Sequence, residues 1–384
     1  MTLAIRDLMS PKGNHMKARR NQTSVYRNKG SRREFLKLAG TASGLAILPR
    51  HVLGGRGVMA PSDCVTIAVI GAGGQGIRDM KNLLMEPDVR IVAVADPSRL
   101  SPGRKGDETG RVPALRAVAE SDLQRLPNGP SRRCSEYSDF RVMLEKEKGI
   151  DAVLVAAPDH NHAVAVMAAL QLGKHVFCEK PLAHSIAEVR ALVETARRAG
   201  VATQMGNQGH SSEGIRLTCE WIWDGAIGPV HEVHAWCKNS YYRERPTDRP
   251  PLPTGLDWDL WIGPAPYRPY HPAYHPGGWR SFPEFGTGVL GDFACHHLDP
   301  AFWALHLKHP ESVEAERFDS AAGTFPRRTR MTFQFAGTGD RPPVKLVWYD
   351  GGLYPDTPPE LEPERQLTSQ GHGILLVGEK GKIL

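Results

Sequence analysis

Apolar residues in this chain fall into short unbroken runs separated by segments of helical period. Residues 65–70 (VTIAVI), 90–95, 150–156 (IDAVLVA), 174–178 and 201–205 are such runs. Apolar runs of this length without polar alternation predict strands buried on both faces, the mark of a parallel sheet. Between them the apolar spacing turns helical. Ile77, Met80, Leu83 and Leu84 follow the first run, and residues 114–126, 141–148, 163–172 and 185–198 read as further helical segments. Strands alternating with helices predict a doubly wound α/β sheet.

The pattern changes past residue 210. Residues 213–223 read as a helix, and 229–238 (PVHEVHAWCK) alternate as a half-buried strand. A long loop, 239–284, is crowded with aromatics, Pro, His and Arg, and 286–307 is one helix-like run. Residues 328–335, 344–349, 374–377 and 382–384 read as strands of an open, largely antiparallel sheet. The chain stops inside the last hairpin, so this sheet is expected to be truncated, with an unpaired edge. The expected division is a leader at 1–60, a first α/β domain at 61–208 and a second at 209–384.

The turn after the first strand carries the most specific signal. Gly71, Gly73, Gly74, Gln75 and Gly76 open a helix, and a second strand ends in Asp96, 25 residues after Gly71. Strand, glycine turn, helix, strand and acid make up the dinucleotide-binding fingerprint of a Rossmann domain. Gly71 permits the tight turn, Gly73 lets backbone approach a pyrophosphate, and Gly76 lets the helix pack against the strand. Free N–H groups and the dipole at the helix start favour phosphate charge. A carboxylate at Asp96 accepts from an adenine-ribose 2′-OH and repels a 2′-phosphate, so NAD is favoured over NADP.

Charge alters this picture only at the leader. The formal charge is +6, but residues 1–60 hold twelve Lys/Arg against two acids, a net +10 that leaves −4 for the rest. A mildly acidic body offers no field for nucleic acid. Residues 31–37 (SRREFLK) resemble a twin-arginine export signal, and 38–48 are too short and weakly apolar to span a membrane. Residues 58–60 (VMA) offer small residues for cleavage, and Met9 or Met16 are alternative starts. The expectation is export to the periplasm by the twin-arginine machinery; a non-functional leader would leave the protein in the cytoplasm. The six cysteines form no CxxC pair and no zinc-finger spacing, which predicts core thiols and no metal site.

Candidate chemistry lies in three places. Lys180, in Glu179-Lys180-Pro181, stands at the carboxyl end of a predicted strand, where ligands of such sheets gather. It is placed to move the proton of a substrate hydroxyl, and the Lys–Pro bond is a candidate cis peptide. Asp292 and His296 are four apart, which puts both on one helix face with His297 pointing elsewhere. A His oriented by a carboxylate suits proton exchange, whereas His296, His297 and Asp292 on one helix cannot easily converge on zinc. The aromatic loop supplies Tyr241, Trp258, Trp261, Tyr274, Trp279 and Arg280. Aromatic faces with interspersed cations suit a sugar, and packing is their competing use.

These features resemble the family of glucose–fructose oxidoreductase, inositol dehydrogenase and MocA-like proteins, over residues from about 65 to the end. The carrying motifs are the glycine turn, Asp96, the loop from Ala157 and Pro158 to His162, Glu179-Lys180-Pro181, and Asp292 with His296. The resemblance implies an NAD(P)-binding Rossmann domain and a C-terminal sheet used for substrate and oligomer contacts. It implies a catalytic Lys180, an Asp292/His296 pair and a place near the nicotinamide for His162. Cofactor contacts are expected from Gly71, Gly73, Gly74, Gln75, Gly76, Asp96, Pro158, His162, Glu179, Lys180 and Asn207, and substrate contacts from Tyr241, Trp279, Arg280 and His296. Asp159 departs from the Asn that relatives often carry. The expected function is oxidoreduction at a sugar or polyol CH–OH with retained NAD. Redox-assisted glycoside cleavage is the alternative, and a non-catalytic binding protein the third.

Overall fold

In a computed structural model, the structure describes residues 60–103, 106–125, 134–339, 341–362, 364–368 and 370–384. The twin-arginine match at 31–37 lies outside them.

The first layer runs β1 (Val65–Ile70), α1 (Gly74–Leu83) and β2 (Val89–Ala95), then a short hairpin of β3 (Ser101–Pro102) and β4 (Glu108–Thr109). It continues through α2 (Arg111–Arg125), β5 (Ser135–Tyr137), α3 (Phe140–Lys146), β6 (Ala152–Val155), α4 (Asp159–Gln171), β7 (His175–Glu179), α5 (Ile186–Ala199) and β8 (Thr203–Gly206). The strands order as β5-β2-β1-β6-β7-β8, all parallel. The unbroken apolar runs now have their reason. Ala68, Ile70, Val153 and Val155 pack into one helix layer, while Ile67, Val69, Ala152 and Leu154 pack into the other. Both faces are covered, so the central positions of these strands are apolar and the polar residues Thr66, Arg90 and His175 stand near the strand starts. The chain reverses direction across the sheet between β1 and β6, which places a crevice outside their carboxyl ends.

The second layer runs α6 (Glu213–Trp223), β9 (Val230–Cys237), α7 (Trp258–Ile262), α8 (Gly288–His297), α9 (Asp299–Ala304), β10 (Ser312–Phe318), β11 (Arg328–Phe335), β12 (Val344–Asp350), β13 (His372–Gly378) and β14 (Lys382–Ile383). Its order is β10-β11-β12-β9-β13-β14, antiparallel except for the β9–β12 pair. One face packs under α8 and α9 through Val233, Ala235, Leu346, Trp348 and Leu376.

Several expectations need correction. The helix-like run 286–307 is two helices, because Pro300 has no N–H to continue the ladder and instead opens α9. Helix α4 begins at Asp159 rather than 163, so the polar Asp159–His162 stretch forms its first turn, with an acid where the helix dipole favours one. Strand β10 was not expected. It is exposed along nearly its whole length, and the alternation of Val313 and Ala315 with polar neighbours breaks at Arg317, too short a pattern to predict a strand. The three-residue β5, at the other sheet's edge, is too short to show a period.

Candidate active site

The glycine turn and Lys180 line one cavity of about 790 Å³. Its wall includes Gly71, Gly73, Gly74, Gln75, Asp96, Pro158, His162, Glu179, Lys180, Trp279 and Arg280. Gly71 adopts φ +92°, and an added Cβ would lie 2.6 Å from the Ala157 nitrogen on the neighbouring β6 turn. At Gly76 an added Cβ would lie 2.0 Å from the Gly71 carbonyl oxygen, so helix and turn are in backbone contact. At Gly73 and Gly74 a Cβ would meet nothing within 4 Å, so their bare backbone faces open space at the start of α1. That cradle fits a pyrophosphate, which needs N–H groups and no side chain in the way.

The Asp96 carboxylate does more than wait for a ribose. Its two oxygens accept from the backbone N–H of Ala72 and of Ser98, each at 2.7 Å. It therefore clamps the glycine turn while lining the cavity. Burial raises its pKa, and those two N–H donors and Arg111 partly offset the rise.

Lys180 sits at the end of β7 on a cis Lys180–Pro181 bond. Its Nζ donates to the Asp292 carbonyl at 3.0 Å and to the Asp292 carboxylate. The Tyr241 hydroxyl donates to the other carboxylate oxygen, and Arg280 Nε lies 3.3 Å from it. Burial works to raise the Asp292 pKa, but the charges of Arg280 and Lys180 outweigh it and hold the carboxyl below its ordinary range. Asp292 is thus an ionised anchor for three donors.

This corrects the expected Asp292/His296 pair. Both lie on α8, but Asp292 orients Lys180, while His296 Nδ1 faces the Asn207 side-chain oxygen at 3.0 Å. Asn207, expected at the cofactor, holds His296 through its side-chain oxygen. Burial, then the Lys180 charge, lowers the His296 pKa, which favours its neutral form at pH 7. Gly76, Asn207, Tyr241, Asp292 and His296 lie off the cavity wall itself.

His162 is also committed. Its Nδ1 meets the Pro181 carbonyl and its Nε2 the Ala157 carbonyl, both at 2.7 Å. Burial opposes a charge there, but the Cys178 sulfur, Asp159 and the Pro181 carbonyl favour it, and the pKa is pushed up to about 10. Two carbonyl partners require two N–H donors, so the imidazolium ties the Lys180–Pro181 turn to the β6 turn. The departure at Asp159 has a role as well. Its carboxylate accepts from the Thr287 N–H at 3.1 Å and hydroxyl at 2.6 Å, fastening the start of α8 to the first layer.

The aromatic loop is mainly core. Trp258, Trp261, Tyr274 and Trp279 are only 4–5% exposed, and Trp258 stacks on Trp261 at 4.6 Å. Trp279 borders the cavity, and the Arg280 guanidinium covers one face of its ring at 4.1 Å. Tyr241 likewise spends its hydroxyl on Asp292. His297 leaves the active-site side. Although the sequence spacing predicts no metal site, His297 joins Cys237 and His372 with ligand atoms within 4.8 Å of one another.

Asp79 escaped the sequence reading. It is 1% exposed on α1, accepts from Gln75 Nε2 at 2.8 Å, and keeps Oδ2 buried without a partner. Burial, then Glu179, pushes its pKa up to about 8, and Glu179 is itself raised by burial. Between about pH 4 and 8 the folded chain holds a proton that the unfolded chain has lost, so stability falls as pH rises through that window. Asp79→Asn puts an N–H donor in place of the carboxyl O–H and removes the titration. We expect a flatter pH profile and about 1–3 kcal/mol more stability than the native chain at pH 9. Urea unfolding at pH 5, 7 and 9 measures this; an unaltered slope would rule out the proton held on Asp79 in the folded chain. The signal was present in the sequence as an acid within the apolar stripe of Ile77, Met80 and Leu83.

Two family models match the two layers. One, described as an oxidoreductase family with an NAD-binding Rossmann fold, covers 65–207; the other, the family's C-terminal alpha/beta domain, covers 232–338. The chain belongs to the Gfo/Idh/MocA oxidoreductase family. Its first layer is the family's NAD-binding domain. Among similar Gfo/Idh/MocA proteins, a 2,7-anhydro-N-acetylneuraminate hydratase of Mediterraneibacter gnavus is 30% identical over 48% of this chain and 42% of its own. A myo-inositol 2-dehydrogenase of Thermotoga maritima is 29% identical over 50% of this chain and 47% of its own. The match thus spans less than half the length of these curated relatives. In fold, the chain is similar to the WlbA dehydrogenase of Bordetella pertussis, solved with NADH and UDP-GlcNAcA. The TM-score is 0.54 at 18% identity, over 83% of this chain and 77% of that one.

Proposed function

We propose that this protein is an NAD-dependent oxidoreductase of a sugar or polyol CH–OH group, and that it retains its cofactor. The observation that carries this reading is Lys180, held by Asp292 on the wall of the cavity that the glycine cradle also lines. When bound, NAD supplies the hydride acceptor and donor. In the reducing direction the Lys180 ammonium donates a proton to the carbonyl oxygen; in the oxidising direction the neutral Lys180 amine takes the hydroxyl proton and becomes the ammonium. Asp292, with Tyr241 and Arg280, keeps that ammonium aimed at the cavity. His296, in its neutral form, is held by Asn207 one turn along α8 from Asp292. Relatives named for inositol and anhydrofructose support a polyol or sugar substrate.

Retention follows from the leader. Free NAD is scarce outside the cytoplasmic membrane, so an exported enzyme that shed NADH each turnover would stall. Loading before twin-arginine export and an internally balanced reaction avoid this. A relative named as a hydratase supports a second, redox-neutral reading on the same residues, cleavage of a glycoside. The open C-terminal sheet, with β10 exposed, supports assembly of copies through that sheet. The test is mature protein purified without added nucleotide, then denatured and assayed for released NAD(H). We expect near one NAD(H) per chain. An empty chain that needs added NAD would overturn retention. Net NADH formation against sugar release from aryl glycosides separates the two reactions.

A further inference from the structure

We propose that Cys237, His297 and His372 form a zinc site beneath the active-site helix. Three separate elements bring them together. Cys237 ends β9 and His372 begins β13, and the two residues pair directly in the antiparallel register. His297 is the last residue of α8, which packs over that sheet. One ligand atom from each lies within 4.8 Å of the other two. Cys237 is fully buried.

The second observation is independent of this clustering. His297 Nε2 and His372 Nδ1 are both buried without a hydrogen-bond partner. Two neighbouring imidazoles with orphaned nitrogens, beside a buried thiol, call for a ligand that accepts lone pairs. The rings stack at 5.3 Å, and Phe293 and Trp348 flank them, so few other polar groups can satisfy these nitrogens.

The chemistry of the donor set selects the ion. One thiolate and two imidazoles favour Zn²⁺ over oxygen-seeking Mg²⁺ or Ca²⁺. Zn–S of about 2.3 Å and Zn–N of about 2.0–2.1 Å need donors somewhat closer than 4.8 Å, a change within reach of side-chain rotation. Burial lowers both imidazole pKa values, that of His297 to about 4, so both rings stand in the neutral form that ligates. Burial pushes the Cys237 thiol up to about 11, so binding replaces its S–H bond by an S–Zn bond and releases one proton to solvent. The fourth position is left for water. Such a site would pin the C-terminal end of α8 to β9 and β13. That helix also carries Asp292 and His296, so the ion would position the active site without touching substrate.

The test uses the full chain, free of any tag and stripped by chelator. Co²⁺ replaces Zn²⁺ as a spectroscopic probe. We expect one ion per chain by elemental analysis and a thiolate-to-cobalt charge-transfer band that excess Zn²⁺ removes. Cys237→Ser should abolish the band, and His297→Gln or His372→Gln should weaken binding about 100-fold. Circular dichroism and NAD binding of the metal-free variants check that they fold. Should they not, the native chain still decides. Its Tm should rise with Zn²⁺ and not with Mg²⁺. No band, a band that survives in Cys237→Ser, or a Tm indifferent to Zn²⁺ would each overturn the site.

Discussion

Lys180→Met lowers turnover by about 10²–10⁴-fold while the chain still folds and still binds NAD. The loss follows from the position of the ammonium, on the cavity wall at the end of β7 with the Asp292 carboxylate behind it. Methionine keeps the length and apolar stem of the side chain but carries no proton. The fold survives because Asp292 is not left bare. Tyr241 still donates to it, and Arg280 still lies 3.3 Å away. An uncompensated buried carboxylate would otherwise cost several kcal/mol. The checks are kcat on the substrate that supports native turnover, NAD titration by fluorescence, and Tm. Activity within about tenfold of native would remove Lys180 from the chemistry.

Gly76→Ala produces the second large effect, on stability and cofactor together. The new methyl would lie 2.0 Å from the Gly71 carbonyl oxygen and 3.2 Å from Ala156 Cβ. The first of these is backbone, so α1 must shift away from the turn. Overpacking of this kind costs about 1–3 kcal/mol, and the displaced helix start carries the N–H groups of the phosphate cradle. We expect that loss of stability and at least about tenfold weaker NAD binding, one factor of ten being 1.4 kcal/mol. Gly73→Ala is the control. Its Cβ meets no protein atom within 4 Å, so stability should stay within about 0.5 kcal/mol of native while NAD binding weakens. Equal loss of Tm in both variants would contradict the packing role assigned to Gly76.

The parallel sheet was legible in the chain because its cause is local. A strand covered on both faces must be apolar where it is buried, and Ile67–Ile70 or Ala152–Val155 state this without reference to any partner. The glycine turn was legible for a similar reason. Gly71, Gly73 and Gly76 answer to a turn, a cradle and a contact within six consecutive residues. Lys180 was found because it ends a strand, the edge where α/β sheets gather ligands. Exposed elements were harder. Strand β10 lacks a buried face, and only Val313 and Ala315 alternate within it before the pattern breaks at Arg317.

What escaped the sequence was the choice of partner. Residues four apart on a helix share a face, which suggested that Asp292 serves His296. The second layer instead presents Asp292 to Lys180, 112 positions away in the chain, and gives His296 to Asn207, 89 positions away. Spacing along one helix limits which groups can meet, but it cannot weigh them against cations arriving from another layer. The same holds for Trp279, one face of whose ring is taken by Arg280, and for Cys237, His297 and His372, which no motif joins. Local constraints of burial and backbone conformation are written into consecutive residues, and they determined the fold and the cofactor cradle. Long-range hydrogen bonding and charge pairing depend on how the layers close over one another, and only that closure decided which side chain serves which.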